Sequence, residues 1–240
     1  MIVVTGATGQ LGKPTAAALA AQGADVREVS RHGAIPADLL GGTGVSAALA
    51  GADTIVHAAT MGGRRDLAMA ANLVSAAKNA GVGHIVLVSI VGIDRIPLGF
   101  YKDRLAIEGI VASSGVPFTI QRATQFHSFV EGFFSAQRFS PVVFTPSLRV
   151  QPIAVEEVGA RLADLALAGP QGRADDIGGP ETRTVRDFYA EWREATGGRR
   201  VAVPVRLPGK LFAVFDAGAN LCAPVGTRPF AGYLAEKYGR

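Results

Sequence analysis

Cysteine is nearly absent from this chain: its 240 residues include one, Cys222. No internal disulfide and no multi-cysteine metal site can form, which fits a reducing compartment and sets the expectation of a cytoplasmic protein. Long apolar runs are missing too. The longest, Ile85 to Ile93, is far too short to span a bilayer, and Met1-Ile2-Val3-Val4 meets Gly6 with no basic segment before it, unlike a secretory signal. Charge is sparse, at 18% of residues against 48% hydrophobic, as in a folded chain rather than a disordered one. The formal net charge is +4, but the doublets Arg64-Arg65 and Arg199-Arg200 are small and far apart in sequence. They make no nucleic-acid stripe, so neither nucleic acid nor membrane is expected as a partner. There is no internal repeat, no G-x-S-x-G nucleophile elbow and no His/Asp/Glu spacing that suggests a metal.

What is present is alternation. Ile2 to Thr5 reads as a buried strand, followed by an Ala- and Leu-rich helix over Gln10 to Ala21. Asp25 to Val29 is a second strand. Ala34 to Gly44 is ambiguous, with room for a short strand and its turn, and Val45 to Ala50 is helical. Asp53 to Ala58 is a strand. Arg64 to Asn79 carries Leu67, Ala71, Val74 and Ala77 at helical spacing, and Gly81 ends it. The β-branched run Ile85 to Ile90 suits a central parallel strand covered on both faces. Tyr101 to Ser113 is a helix and Phe118 to Gln121 a further strand. Strands alternating with helices imply right-handed crossovers and a doubly wound parallel α/β sheet of Rossmann type.

After about residue 123 the rhythm changes. Phe126, Phe129, Phe133, Phe134 and Phe139 cluster together, Val155 to Ala168 reads as a helix, and Thr184 with Asp187 forms a capping box for another. The inner face of that last helix is Val185, Phe188, Trp192 and Ala195. The expected organisation is a dinucleotide-binding core over 1–123 and a smaller C-terminal substrate lobe over 124–240, packed as one structural unit. The Phe cluster has two readings, a lobe core that claims most of the rings or an apolar mouth that one or two of them line.

The motif that carries chemistry is Thr5-Gly6-Ala7-Thr8-Gly9-Gln10-Leu11-Gly12, directly after a strand and opening a helix. Glycines there let the backbone approach a pyrophosphate, and the helix N-terminus offers free N–H groups and a positive dipole. A P-loop is excluded, because Ala7 stands where its first glycine is needed and Pro14 where its Ser/Thr is needed. The second strand ends Val29-Ser30-Arg31-His32, without the acidic residue that would hold the ribose hydroxyls of NAD. Glu28 comes too early. Arg31 can pair with the 2′-phosphate of NADP and Ser30 can donate to it, so NADPH is the expected cofactor and NADH the lesser one. His32 either stacks near the adenine or is solvated.

With these residues the chain resembles the atypical short-chain dehydrogenase/reductases, specifically the NmrA-like NAD(P)H-binding group that includes quinone-oxidoreductase-like members. The matching segments are Thr5 to Gly12, Asp53-Thr54-Ile55-Val56-His57-Ala58-Ala59, Val86-Leu87-Val88-Ser89, Ile120-Gln121-Arg122-Ala123-Thr124-Gln125-Phe126 and Gly178-Gly179-Pro180-Glu181. The resemblance implies that Ala58, Ala59 and Thr60 border the adenosine half of the cofactor. It implies that Ser89 and Ile90 lie near the nicotinamide, and that Thr124, Gln125 and Phe126 flank the nicotinamide and substrate.

One departure stands out. Catalytic members of the wider superfamily carry Tyr-x-x-x-Lys on the helix after the fifth strand, where both side chains share a face and the tyrosine protonates the substrate oxygen. Here the best-aligned pair is Phe100 and Arg104, and Tyr101 and Lys102 are each displaced from it. Ser89, Tyr101, Lys102 and His127 are the remaining catalytic candidates, with His127 also readable as a lobe-packing residue and His84 as a turn residue. Two functions follow. One is an NADPH-dependent oxidoreductase acting on a small conjugated acceptor such as a quinone or enone. The other is a non-catalytic NADP(H)-binding sensor. Monomer and homodimer both remain open.

Overall fold

The computed structural model describes residues 1–206 and 209–239. Along the first half run β1 (Ile2–Thr5), α1 (Gly12–Ala21), β2 (Val26–Ser30), β3 (Ile35–Pro36), α2 (Val45–Leu49), β4 (Thr54–His57), α3 (Arg65–Asn79), β5 (His84–Ile90), α4 (Gly99–Ala112) and β6 (Phe118–Ala123). The second half contains α5 (His127–Ser135), β7 (Val142–Pro146), β8 (Arg149–Val150), α6 (Val155–Ala168), β9 (Gly172–Arg173), β10 (Arg183–Thr184), α7 (Val185–Thr196), β11 (Val201–Val205), α8 (Lys210–Asp216) and α9 (Phe230–Tyr238). No helix among the described residues is long and apolar enough to cross a membrane.

The described chain divides into two compact units. The first takes Met1–Ile90, Leu98–Arg122 and Val155–Asp175. It holds a seven-stranded sheet in the order β3-β2-β1-β4-β5-β6-β9. The pairs β1–β2, β1–β4, β2–β3, β4–β5 and β6–β9 are parallel. In β1 and β4 every residue is buried, as expected of strands with a layer on each face. The core contains Val3, Ile55, Ile85 and Leu87 from the strands, with Leu73, Ala77, Ile107 and Val111 from α3 and α4. The edge strands β3 and β9 are two residues each, which leaves little unpaired backbone at the rims.

Helix α6 packs on α1. A Cβ at Gly159 would lie 2.9 Å from the Thr15 nitrogen and 3.0 Å from the Pro14 carbonyl carbon, so only glycine allows the two backbones to come this close.

Two expectations are corrected in this unit. The first helix begins at Gly12 rather than Gln10, because residues 6–11 are spent on a tight turn closed by the Gly9 amide donating to the Gly6 carbonyl at 2.8 Å. His84 is no turn residue. It opens β5, is buried, and pairs through Nε2 with the Thr119 hydroxyl at 2.8 Å.

The second unit takes Val91–Pro97, Ala123–Ala154 and the described residues from Asp176 onward. Its strands form two small sheets, β7 with β11 in parallel and β8 with β10 antiparallel. The Thr184 hydroxyl accepts from the Asp187 amide while the Asp187 carboxylate accepts from the Thr184 amide, which completes the expected capping box. Val185, Phe188 and Trp192 are buried as expected, joined by Tyr189. Phe134 meets Tyr189 and Trp192 with ring centroids 5.4 and 5.8 Å apart, and Phe188 meets Phe230 at 5.4 Å.

The reading of the Phe cluster as mostly core is corrected. Phe134 is fully buried, but Phe129, Phe133 and Phe139 are exposed, the last at 88%. The reason is positional: only one face of α5 meets the core, and Phe139 lies beyond the helix end.

Candidate functional site

β1 delivers the chain to Gly6 at the carboxyl edge of the sheet, where open α/β sheets take their ligands. Gly6 turns with φ +69°. A Cβ there would stand 2.7 Å from the Ala59 Cα, and a Cβ at Gly12 would stand 2.1 Å from the Gly6 carbonyl oxygen. The glycines are thus required by the turn itself, which packs directly on the end of β4. Between them Thr8, Gly9 and Gln10 are exposed at the start of α1, while Leu11 and Gly12 are buried.

At the end of β2, Ser30 is buried and its hydroxyl finds no hydrogen-bond partner among the described residues. A Cβ on Gly33 would lie 2.5 Å from that hydroxyl oxygen and 3.8 Å from the Thr8 methyl, so Thr8, Ser30 and Gly33 converge on one spot. Arg31 and His32 beside them are exposed. An orphaned hydroxyl, an accessible guanidinium and a bare glycine turn at a helix N-terminus fit the phosphates of a dinucleotide.

β4 ends on His57, whose Nδ1 pairs with the Thr5 hydroxyl at 2.8 Å. Burial first, then the nearby Arg104 cation, push the His57 pKa down to about 4, against a smaller opposing pull from Asp66. The ring is neutral at pH 7. The following loop is clamped by a residue that sequence reasoning missed. Buried Asp66 accepts from the Thr60 hydroxyl at 2.5 Å, the Met61 amide at 2.7 Å and the Gly62 amide at 3.1 Å. Its only sequence signal is an acidic residue in the first turn of a helix six positions after Thr60.

Ser89 is buried near the end of β5 with its hydroxyl unpartnered among the described residues, and Ile90 is partly buried. On α4 the Arg104 guanidinium carbon lies 5.8 Å from the centre of the Phe100 ring, so this pair shares one helical face. Tyr101 is buried with its ring centre 6.2 Å from that of Phe100, and Lys102 is exposed. In the second unit, the buried Thr124 donates its amide to the Ile177 carbonyl at 3.0 Å while its hydroxyl has no partner among the described residues. Phe126 is half-buried and bridges to Ile153. His127 packs within that unit's aromatic cluster, 5.7 Å from Phe230 and 5.4 Å from Tyr233. Of the expected site residues, the structure brings Gly6, Ala58 and Ala59 together and Thr8 and Ser30 together. It leaves Lys102 exposed, and it sets the buried Tyr101 ring beside that of Phe100.

The strand order and the glycine turn define a dinucleotide-binding protein of Rossmann type. The family described as NAD(P)H-binding matches residues 6–132, and the chain belongs to it, in keeping with the resemblance to the NmrA-like group. A (4-alkanoyl-5-oxo-2,5-dihydrofuran-3-yl)methyl phosphate reductase of Streptomyces griseus is 31% identical over 218 residues, covering 82% of this chain and 74% of that protein. Quinone oxidoreductase 2 of Escherichia coli is 25% identical over 230 residues, covering 82% and 75%. The crystal structure of the Escherichia coli NADPH-dependent quinone oxidoreductase complexed with NADPH superposes with a TM-score of 0.75 at 22% identity, over 99% of this chain and 88% of the other. Uncharacterized proteins of Mycobacterium tuberculosis and Mycobacterium bovis are 37% identical over 100 residues, and the chain spans 12% of their length.

Proposed function

We propose that this protein is an NADPH-dependent oxidoreductase that reduces a small conjugated acceptor, a quinone or an enone. The observation that carries the choice of cofactor is the end of β2: the buried, unpartnered Ser30 hydroxyl beside an exposed Arg31, with no carboxylate at that strand end. A hydrogen bond to a charged group contributes roughly 1.5–3 kcal/mol, about one to two decades of preference for the 2′-phosphorylated cofactor. Gly6, Thr8, Gly9, Gln10, Leu11 and Gly12 would hold the pyrophosphate, and Ala58, Ala59 and Thr60 would border the adenosine half.

Reduced nicotinamide, when bound, supplies a hydride. The rest of the chemistry falls to the chain. Phe100 has no proton to give, so the usual transfer from a tyrosine to a carbonyl oxygen has no donor at that position. A quinone or an enone suits such a site, because its reduced form is a delocalised oxyanion that takes a proton from water. The names of the Streptomyces and Escherichia coli relatives, which specify an unsaturated furanone and quinones, support the same acceptor class. The buried, unpartnered hydroxyl of Ser89 supports a role for it in donating to the acceptor oxygen.

Phe100 also favours a second reading, a sensor that binds NADP(H) without turnover. NADPH oxidation measured against a panel of quinones, enones and aldehydes separates the two. Consumption with quinones or enones but not aldehydes is expected. Tight NADPH binding with no consumption across the panel would leave the sensor reading in its place.

A further inference from the structure

Arg104 is a partly buried cation with no direct ion-pair partner among the described residues. Its guanidinium makes no hydrogen bond and no ion pair with any described residue, and its Nε is wholly shielded from solvent without a partner. Its guanidinium carbon stands 5.8 Å from the centre of the Phe100 ring. Asp66, near enough to act on it electrostatically, is committed to Thr60, Met61 and Gly62. Burial lowers the Arg104 pKa, and the Arg104 charge in turn depresses that of His57 at the end of β4. Arg104 lies in the first half of α4, the helix that follows the carboxyl end of β5, so the guanidinium sits toward the edge of the sheet that receives ligands. A partly buried charge left unpaired costs several kcal/mol, and a guanidinium is a five-donor fork matched to carboxylate, sulfonate or phosphate. Phe100 beside it is 45% exposed and offers a flat apolar wall.

We propose that Arg104 and Phe100 form an anion-recognition site for the acceptor, so that the preferred substrate is a planar conjugated molecule carrying a fixed acidic group. This rests on the oxidoreductase reading for the word acceptor, but the site itself is a binding site and can be tested without turnover. The cofactor's pyrophosphate is the other anion that could reach this edge. The glycine turn and the start of α1 already offer donors for it, and Arg104 stands instead one helical turn from Phe100.

Calorimetric titration of naphthalenesulfonate and of uncharged naphthol into the protein, with and without saturating NADPH, reads the site directly. The sulfonate is expected to bind at least tenfold more tightly than the naphthol. Arg104→Gln should abolish that preference, a loss of about ten- to a hundredfold, while the NADPH dissociation constant stays within twofold. Arg104→Lys should restore part of it, and a thermal midpoint within a few degrees of wild type shows that the variants fold. If both compounds bind alike to the wild type, or if Arg104→Gln weakens NADPH as much as the sulfonate, the proposal is wrong. Turnover of naphthoquinone and its sulfonate tells the two readings apart. Arg104-dependent sulfonate binding with no turnover overturns the redox reading alone. Equal turnover of both quinones with no Arg104-dependent binding overturns the anion site alone.

Discussion

Lowering the pH from 7 to 5 should cost this protein about 2 kcal/mol of stability through His57 alone. The imidazole is buried at the end of β4 with Nδ1 on the Thr5 hydroxyl, and burial together with Arg104 holds its pKa at about 4 against an ordinary 6.5. Above pH 6.5 the ring is neutral in both the folded and the unfolded chain, so nothing is lost there. Below 6.5 the unfolded chain takes up a proton that the folded one refuses, and stability falls. The loss levels off once the pH drops below about 4, at roughly 3 kcal/mol for the whole gap. Urea unfolding of wild type and His57→Gln at pH 7, 6 and 5 isolates this contribution, because every other titrating group cancels in the difference. The variant is less stable at pH 7 for want of the Thr5 contact, but its decline toward pH 5 should be shallower by about 2 kcal/mol. Parallel declines would refute the reasoning. Arg104→Gln offers an internal check: removing the cation should raise the His57 pKa, read from the imidazole proton shifts by NMR.

Gly12→Ala forces a methyl to within 2.1 Å of the Gly6 carbonyl oxygen. It should destabilise the fold by about 3 kcal/mol and abolish NADPH-dependent thermal stabilisation, and an unchanged NADPH shift would count against the turn. Arg31→Ala should weaken NADPH binding by about ten- to a hundredfold and leave NADH nearly unchanged, as measured by fluorescence titration; equal losses would remove Arg31 from the 2′-phosphate. Glu108 takes a bidentate pair from Arg122 at 2.8 and 2.7 Å, with both side chains almost fully buried. Glu108→Gln should cost about 3 kcal/mol in chemical denaturation, and a cost below about 1 kcal/mol would reduce the pair to the worth of a surface bridge.

Local physics was readable from the residues. The β-branched runs of β1, β4 and β5, the capping box of Thr184 and Asp187, and the glycine turn before α1 each depend on neighbours within a few positions, so the pattern and the structure coincide. Contacts between distant segments were not readable. Nothing in residues 155–175 announces that α6 and β9 return to the sheet unit, because that return is written in Gly159 meeting Pro14 and Thr15 and in β9 pairing with β6. The exposure of the Phe129 and Phe133 rings was not readable for the same reason: hydrophobicity says that a side chain prefers burial, not which face of a helix meets a core.

The site divides along this line. The amino-acid sequence by itself determined the glycine turn from Gly6 to Gly12, since a turn this tight between a buried strand and a helix needs only its own residues. It also set Phe100 and Arg104 four positions apart, the spacing that puts two side chains on one helical face. Only the tertiary structure decided what Arg104 is. That no described residue pairs directly with it depends on where Asp66 and His57, about forty residues earlier, direct their own hydrogen bonds, and no local pattern encodes a contact that is not made.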